Sequence, residues 1–130
     1  MTFAASAADA TILKYAATLR GAYEVPKTPS RGEGQVTAVL DTDTATLKYS
    51  VTYSGLSGPG TGAHFHGPAK VGAEAPVVVP VSSVSSPITG TAQLTAAQIT
   101  DLNSGKWYFN VHTNAYPNGE IRGQLRRDGP

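Results

Sequence analysis

The sequence predicts an all-β fold: a Greek-key β-barrel or sandwich of about eight strands with one short helix. Apolar and polar residues alternate with a period of two along several segments, which is the pattern of half-buried strands. Turn-forming residues separate these segments at the spacing expected of a sandwich or barrel. A chain of 130 residues is typical of one domain, so we expect residues 11–130 to form a single β domain.

Eight strands follow from this pattern. The clearest is Thr46–Tyr53, in which every second residue is apolar. The turn residues at 41–44 join it to a β-rich run at Gly34–Leu40, so the two segments predict a hairpin. The remaining predicted strands are Ile12–Leu19, Ala63–His66, Val77–Val81, Ile88–Leu94, Lys106–Thr113 and Glu120–Arg126.

One segment, about residues 95–104, carries helix signals instead. Thr95 and Gln98 have the spacing of a capping box, and Gly105 stands where a left-handed C-terminal cap would fall. Ile99 and Leu102 are three residues apart and share one helix face. We expect this helix to cover an end of the barrel.

The composition excludes several classes of protein. Ten basic residues against nine acidic ones give a net charge of +1, which argues against a nucleic-acid-binding protein. The chain has no cysteine, which excludes disulfides, thiolate metal sites and cysteine nucleophiles. No segment approaches the roughly 18–20 apolar residues of a membrane span. Homodimer formation stays open, and no protein partner is indicated.

Residues 1–10 are small and alanine-rich, but they lack the basic start and apolar run of a full signal peptide. We interpret them as disordered or as the remnant of a trimmed export signal.

The chain has three histidines, and all fall on predicted strands. His64 and His66 share a strand face because they are two residues apart, whereas Phe65 points into the core. Their α-carbons should lie about 6.5–7 Å apart, close enough for both imidazoles to bind one metal ion. His112 lies on the polar face of a later strand, so the three can converge if the two strands are neighbours.

Three imidazoles without a thiolate indicate a site for zinc, copper or nickel. The order of intrinsic affinities favours copper, with zinc as the less favoured alternative. Calcium and magnesium prefer clustered oxygen ligands, which are absent from the sequence around these histidines.

Four other residues are candidates to support the site. Glu120 and Arg122 lie on one face and predict either a surface ion pair or, for Arg122, a group that guides small anions to the metal. Glu24 either accepts a hydrogen bond that orients an imidazole or is an ordinary surface residue. Tyr108 is an extra ligand, a redox neighbour or a barrel-edge residue. Motifs of serine catalysis and of phosphate binding are missing from the sequence, so we assign no catalytic or organic-cofactor residues.

The motifs around the histidines resemble the chordin-type (CHRD) domain family. The resemblance covers residues 20–126, although Tyr23 departs from the asparagine that is more usual there. It implies a β domain of exported proteins, and hence a periplasmic or extracellular location. The matching segments are 21–26 (GAYEVP), 63–68 (AHFHGP), 110–113 (NVHT) and 117–125 (PNGEIRGQL).

The same histidines are more distantly similar to those of copper/zinc superoxide dismutases, which are Greek-key β-barrels with a His-x-His pair and a later Val-His at copper. This similarity implies that His64, His66 and His112 match three copper positions. The bridging histidine and the zinc ligands have no counterpart, and three histidines are too few for two metals.

Three functions are therefore open at this point. The favoured one is binding, sequestration or delivery of copper through the three histidines. The second is a copper-dependent redox enzyme of superoxide dismutase-like type. The third is a structural or adhesive extracellular module whose histidines only form hydrogen bonds.

Overall fold

The computed structural model describes residues 11–129, which form nine strands, one α-helix and a single turn of 3₁₀ helix at Gly21–Tyr23. The helix is α1 (Ala96–Asn103). The interpretation of residues 1–10 falls outside the described residues. The strands are β1 (Ile12–Arg20), β2 (Glu33–Asp41), β3 (Thr46–Ser54), β4 (Gly60–His66), β5 (Val77–Pro80), β6 (Ile88–Gln93), β7 (Tyr108–Thr113), β8 (Ile121–Gln124) and β9 (Arg126–Arg127).

The strands form one antiparallel sheet that curls into a nearly closed barrel. Its order is β5-β4-β7-β8-β1-β2-β3-β6, and β9 adds to β1. The connections from β3 to β4 and from β6 to β7 join strands that are not neighbours, as in a Greek key. The predicted all-β fold with one helix is confirmed.

The last predicted strand differs from the prediction. Glu120–Arg126 is split at Leu125 into β8 and β9, because the chain changes its pairing there. β8 pairs with β7 and, at Arg122, with Arg20 of β1, whereas β9 pairs with β1, where Arg127 lies opposite Tyr15. Between them, the Leu125 N–H donates to Trp107 O at 3.0 Å, which continues the pairing with the residue that precedes β7.

The core of the barrel is formed by inward-facing side chains of its strands. Phe65 on β4 is fully buried. Its ring packs edge-on against Phe109, at 4.8 Å between centroids, and against Tyr49 from the opposite side of the barrel at 5.1 Å. Trp107 lies at 5.7 Å and is also fully buried. These contacts fix which face of β4 and β7 is turned away from the core.

The helix α1 packs against one side of this core. The Thr95 hydroxyl accepts from the Gln98 N–H and the Gln98 side chain accepts from the Thr95 N–H, so the predicted capping box is present. Gly105 has a φ of 73°, as the predicted C-terminal cap requires. Leu102 is the helix residue buried in the barrel core.

We expect Leu102→Ala to lower the free energy of unfolding by about 2–5 kcal/mol, because it leaves a cavity beneath the helix. Thr100→Ala, at an exposed position of the same helix, is the control and should change it by less than about 1 kcal/mol. Urea unfolding of both variants measures the difference. Equal effects would contradict the packing of Leu102 in the core.

Candidate metal centre

The three histidines come together because β4 and β7 are neighbours. In their antiparallel register His64 lies opposite Asn110 and His66 opposite Tyr108, while His112 lies opposite Gly62. Since the apolar residues between them point inward, the histidines all lie on the outer face of this strand pair.

The imidazoles form a compact group. One nitrogen from each histidine can be chosen so that all three atoms lie within 4.8 Å of one another. The His64 ring lies 5.1 Å from the His112 ring and 5.5 Å from the His66 ring, between centroids. All three side chains are partly buried. The structure therefore holds a three-histidine group that can accommodate a metal ion.

Backbone carbonyls orient two of these rings. His66 Nδ1 lies 2.9 Å from Ala75 O, and His112 Nδ1 lies 2.8 Å from Pro117 O. A carbonyl oxygen only accepts hydrogen bonds, so each Nδ1 carries a proton and donates it. In a neutral imidazole the other nitrogen, Nε2, then has a free lone pair. When neutral, both rings thus present an unprotonated nitrogen to the middle of the group.

The middle of the group contains acceptors that face one another. The Nε2 atoms of His66 and His112 each lie 3.0 Å from Asn110 Oδ1, which is an acceptor as well. His64 Nδ1 is buried and has no hydrogen-bond partner. With the amide oxygen in this orientation, the lone pairs that converge here lack a donor, which is costly for a protein alone, and they fit a cation.

His64 and His66 also have the protonation state that metal binding requires. Burial lowers the pKa of His64, and the neighbouring His112 and His66 lower it further. Burial lowers the pKa of His66 too, although its contacts with Ala75 and Asn110 oppose the shift. Both rings are therefore neutral ligands at neutral pH.

Gly62 leaves room for the His64 ring. A Cβ at this position would lie 3.3 Å from His64 Cε1 and 3.9 Å from His112 Cβ. The first distance is tighter than ordinary van der Waals contact, so a side chain at position 62 would require the His64 imidazole to shift by a few tenths of an ångström.

Tyr108 and Arg122 support His66 from one side. The Tyr108 ring stacks on the His66 imidazole, with 4.8 Å between centroids and 3° between planes. The Arg122 guanidinium lies 3.5 Å above the centroid of the Tyr108 ring. The Tyr108 hydroxyl accepts from the Ala75 N–H, so it also fixes the carbonyl-bearing residue that orients His66. The Tyr108 contacts are thus with the His66 ring and the loop 67–76.

Arg122 is 2% exposed. Its guanidinium donates to Ala73 O at 2.7 Å and thereby holds the loop 67–76 over the outer face of the strands. Burial lowers the pKa of Arg122, and the charges of Tyr108, Glu24 and Glu74 oppose this. In this position Arg122 faces loop carbonyls rather than open solvent beside the histidines. The predicted surface ion pair with Glu120 is absent from the described residues, whose ion pair is Arg20–Glu33.

Glu120 is fully buried, and this differs from the surface position that the alternation of β8 predicts. Its two carboxylate oxygens accept from Ser30 Oγ at 2.6 Å, from the N–H and Oγ of Ser57 at 2.9 and 2.6 Å, and from Thr113 Oγ1 at 2.7 Å. Burial acts to raise the pKa of Glu120, but these hydrogen bonds outweigh it and the pKa is lowered. Glu120 joins two loops to β7 next to His112.

Glu24 is also buried, at 4% exposed, and is not an ordinary surface residue. Burial raises its pKa to about 7; the Val25 N–H is the strongest of the groups that oppose this, followed by Arg122 and the Asn110 amide. Glu24 Oε2 itself has no hydrogen-bond partner, so the Asn110 amide acts on it as a nearby dipole. The structure brings Glu24 to Asn110 rather than directly to an imidazole nitrogen.

Sequence reasoning missed Asn110, which contacts two of the three histidines. Asparagine is uncommon in strand interiors, and this one precedes His112 by two residues and therefore shares its face. The shared face with His112 was the sequence feature that could have identified Asn110. The contact with His66 could not be found in this way, because it depends on the pairing of β4 with β7.

An antiparallel barrel with three histidines on its outer face defines the class of this protein. The family model named CHRD domain matches residues 15–125, so the chain belongs to the CHRD domain family. No curated protein and no solved structure matches the chain significantly. Within residues 11–129, no helix has the length and apolar character needed to cross a membrane.

We expect Glu120→Gln to lower the free energy of unfolding by about 2–3 kcal/mol at pH 7, because the amide cannot accept all the hydrogen bonds made to the carboxylate. The folded-state pKa is below the unfolded value, so the contribution of Glu120 is present above about pH 4.5 and is lost as the pH falls through the folded-state pKa. The difference between wild type and variant should shrink accordingly in denaturant unfolding near pH 3.

The control is Glu33→Gln, since Glu33 is exposed and pairs with Arg20 at the surface. It should change stability by less than about 1 kcal/mol at pH 7. A Glu120→Gln deficit that persists unchanged at low pH would show that the carboxylate charge is not its cause.

Proposed function

We propose that this CHRD domain protein binds one copper ion through His64, His66 and His112, and that its role is the binding, sequestration or delivery of copper. Copper is the cargo in this proposal. The observation that carries it is the convergence of the three imidazoles, which each offer one nitrogen within 4.8 Å of the other two, together with the buried and unpartnered His64 Nδ1.

The donor set supports copper over other ions. The site offers neutral nitrogen ligands and, in a chain without cysteine, no thiolate. Imidazole suits copper, zinc and nickel, and copper(II) binds most strongly among the divalent ions of the first transition row. A zinc ion is the alternative that a competition experiment would separate.

We also propose that the protein works outside the cytoplasm, in the periplasm or the extracellular space. Its membership of the CHRD domain family supports this, because such domains are typically extracellular. The chain's own residues supply the ligands, their orientation and a covering loop.

We expect tag-free protein, stripped with a chelator, to bind one equivalent of Cu(II) with a Kd below about 1 μM. The EPR spectrum should show nitrogen hyperfine structure, because imidazoles are the ligands. Each of His64→Ala, His66→Ala and His112→Ala should weaken binding by at least about tenfold, measured by competition with a chelator of known affinity.

Glu33→Gln is the matched control, since it removes a metal-binding side-chain type on β2 away from the histidines. It should bind copper as wild type does. If the triple alanine variant still binds one equivalent with unchanged affinity, the three-histidine site is wrong.

We expect copper to raise the melting temperature of the wild-type protein and not that of the triple alanine variant. A ligand that binds only the folded state stabilises it by about 2.7 kcal/mol at a free concentration one hundred times Kd. Differential scanning calorimetry with and without Cu(II) measures this. A structural module with hydrogen-bonded histidines would show no such shift, and an equal shift with Zn(II) at the same free metal concentration would remove the preference for copper.

A further inference from the structure

We propose that Asn110 is a fourth ligand of the metal ion, through its side-chain oxygen Oδ1. The inference rests on the proposed copper site and adds an oxygen donor to its three nitrogens. Asn110 is 4% exposed and lies on the outer face of β7 with His112.

The strand pairing places Asn110 in the centre of the histidine group. It lies directly opposite His64 across the β4–β7 pair, and it precedes His112 by two residues on the same face. Its Oδ1 is in contact with His66 and His112 at once, at 3.0 Å from each Nε2 atom. Asn110 thus has a short contact with two of the three histidines and faces the third across the strands.

These distances match those between neighbouring ligands of one ion. Two donor atoms that each lie about 2.0–2.2 Å from a metal, with a right angle between them, are about 3.0 Å apart. A tetrahedral angle would separate them by about 3.4 Å. Right angles between nitrogen and oxygen donors are characteristic of tetragonal copper(II). The observed 3.0 Å contacts therefore agree with an N₃O donor set around copper.

With the amide oxygen turned towards the imidazoles, hydrogen bonds between neutral rings and the amide do not explain the contacts. The Nδ1 atoms of His66 and His112 donate to backbone carbonyls, so their Nε2 atoms are acceptors in the neutral rings. An amide oxygen placed 3.0 Å from two such lone pairs is repelled by both. A cation between the three acceptors removes this repulsion and turns each of them into a ligand.

Glu24 and Gly119 set the orientation of the amide. Asn110 Nδ2 is turned away from the imidazoles and lies with Glu24 Oε2 against the α-carbon of Gly119, where a Cβ would be 2.7 Å from Nδ2. Gly119 has a φ of 125°, a conformation that also favours glycine. The buried carboxyl group attracts the positive end of the amide dipole, which leaves the negative Oδ1 end facing the histidines.

The test compares Cu(II) binding by wild type, Asn110→Leu and Asn110→Asp. Leucine keeps the approximate shape and removes the donor, so we expect roughly a tenfold to hundredfold loss of affinity. Aspartate keeps an oxygen donor, so binding should stay within a few-fold of wild type. The EPR spectrum of the leucine variant should keep its nitrogen hyperfine structure but change its g and A values, because an oxygen ligand has been replaced.

Melting curves of the metal-free proteins establish that each variant is folded. If Asn110→Leu is not, Asn110→Val serves instead, since valine is well tolerated in strands and also lacks a donor. Wild-type affinity with an unchanged spectrum in the folded variant would overturn the inference. Tighter Cu(II) binding by the leucine or valine variant would also overturn it, because Asn110 would then be a group that the metal has to displace.

The two proposals fail in different ways. If wild type binds no Cu(II) below micromolar concentration, the proposed copper site is wrong, and the proposal that Asn110 is a fourth ligand is wrong as well. If wild type binds Cu(II) and loses it in His112→Ala, while Asn110→Leu behaves as wild type does, only the role of Asn110 is wrong.

Discussion

The register between β4 and β7 is the constraint on which the candidate site depends. Phe65 lies opposite Phe109 and Ala63 opposite Val111, and all four are buried in the barrel. A slip by one residue would turn these apolar side chains to the outside and the histidines inward. The cost of exposing the aromatic cluster therefore holds the face with the three histidines in position. The core fixes the site without contributing any ligand to it.

The outer face of these strands is a second buried layer rather than a solvated surface. Arg122 and Tyr108 hold the loop 67–76 across it, and Glu120 joins the loops of Ser30 and Ser57 to β7. Most polar groups in this layer have partners, as burial requires. The exceptions lie in and beside the histidine group, at His64 Nδ1 and Glu24 Oε2. These two unpaired atoms mark the candidate site within this layer.

Much of this arrangement could be predicted from local sequence patterns. A period of two revealed the strands and put Phe65 inward with His64 outward, and the Thr95 capping box revealed the helix. The burial of Glu120 and Arg122 was not predictable in this way. Their partners are Ser30, Ser57 and Ala73, far away in the chain, so the alternation of β8 shows that both side chains point outward but not that loops cover them. For the same reason the contact of Asn110 with His66 could not be predicted without the pairing of β4 with β7.

The groups that orient His66 and His112 are the main-chain carbonyls of Ala75 and Pro117. Every amino acid carries this carbonyl, so substitutions in the two loops can change the side chains without deleting the acceptor. Only changes in loop length or backbone path would remove it. The orientation of these two imidazoles therefore does not depend on which side chains the two loops carry. Homologous chains can diverge there in surface and partners while keeping the same pair of oriented nitrogens.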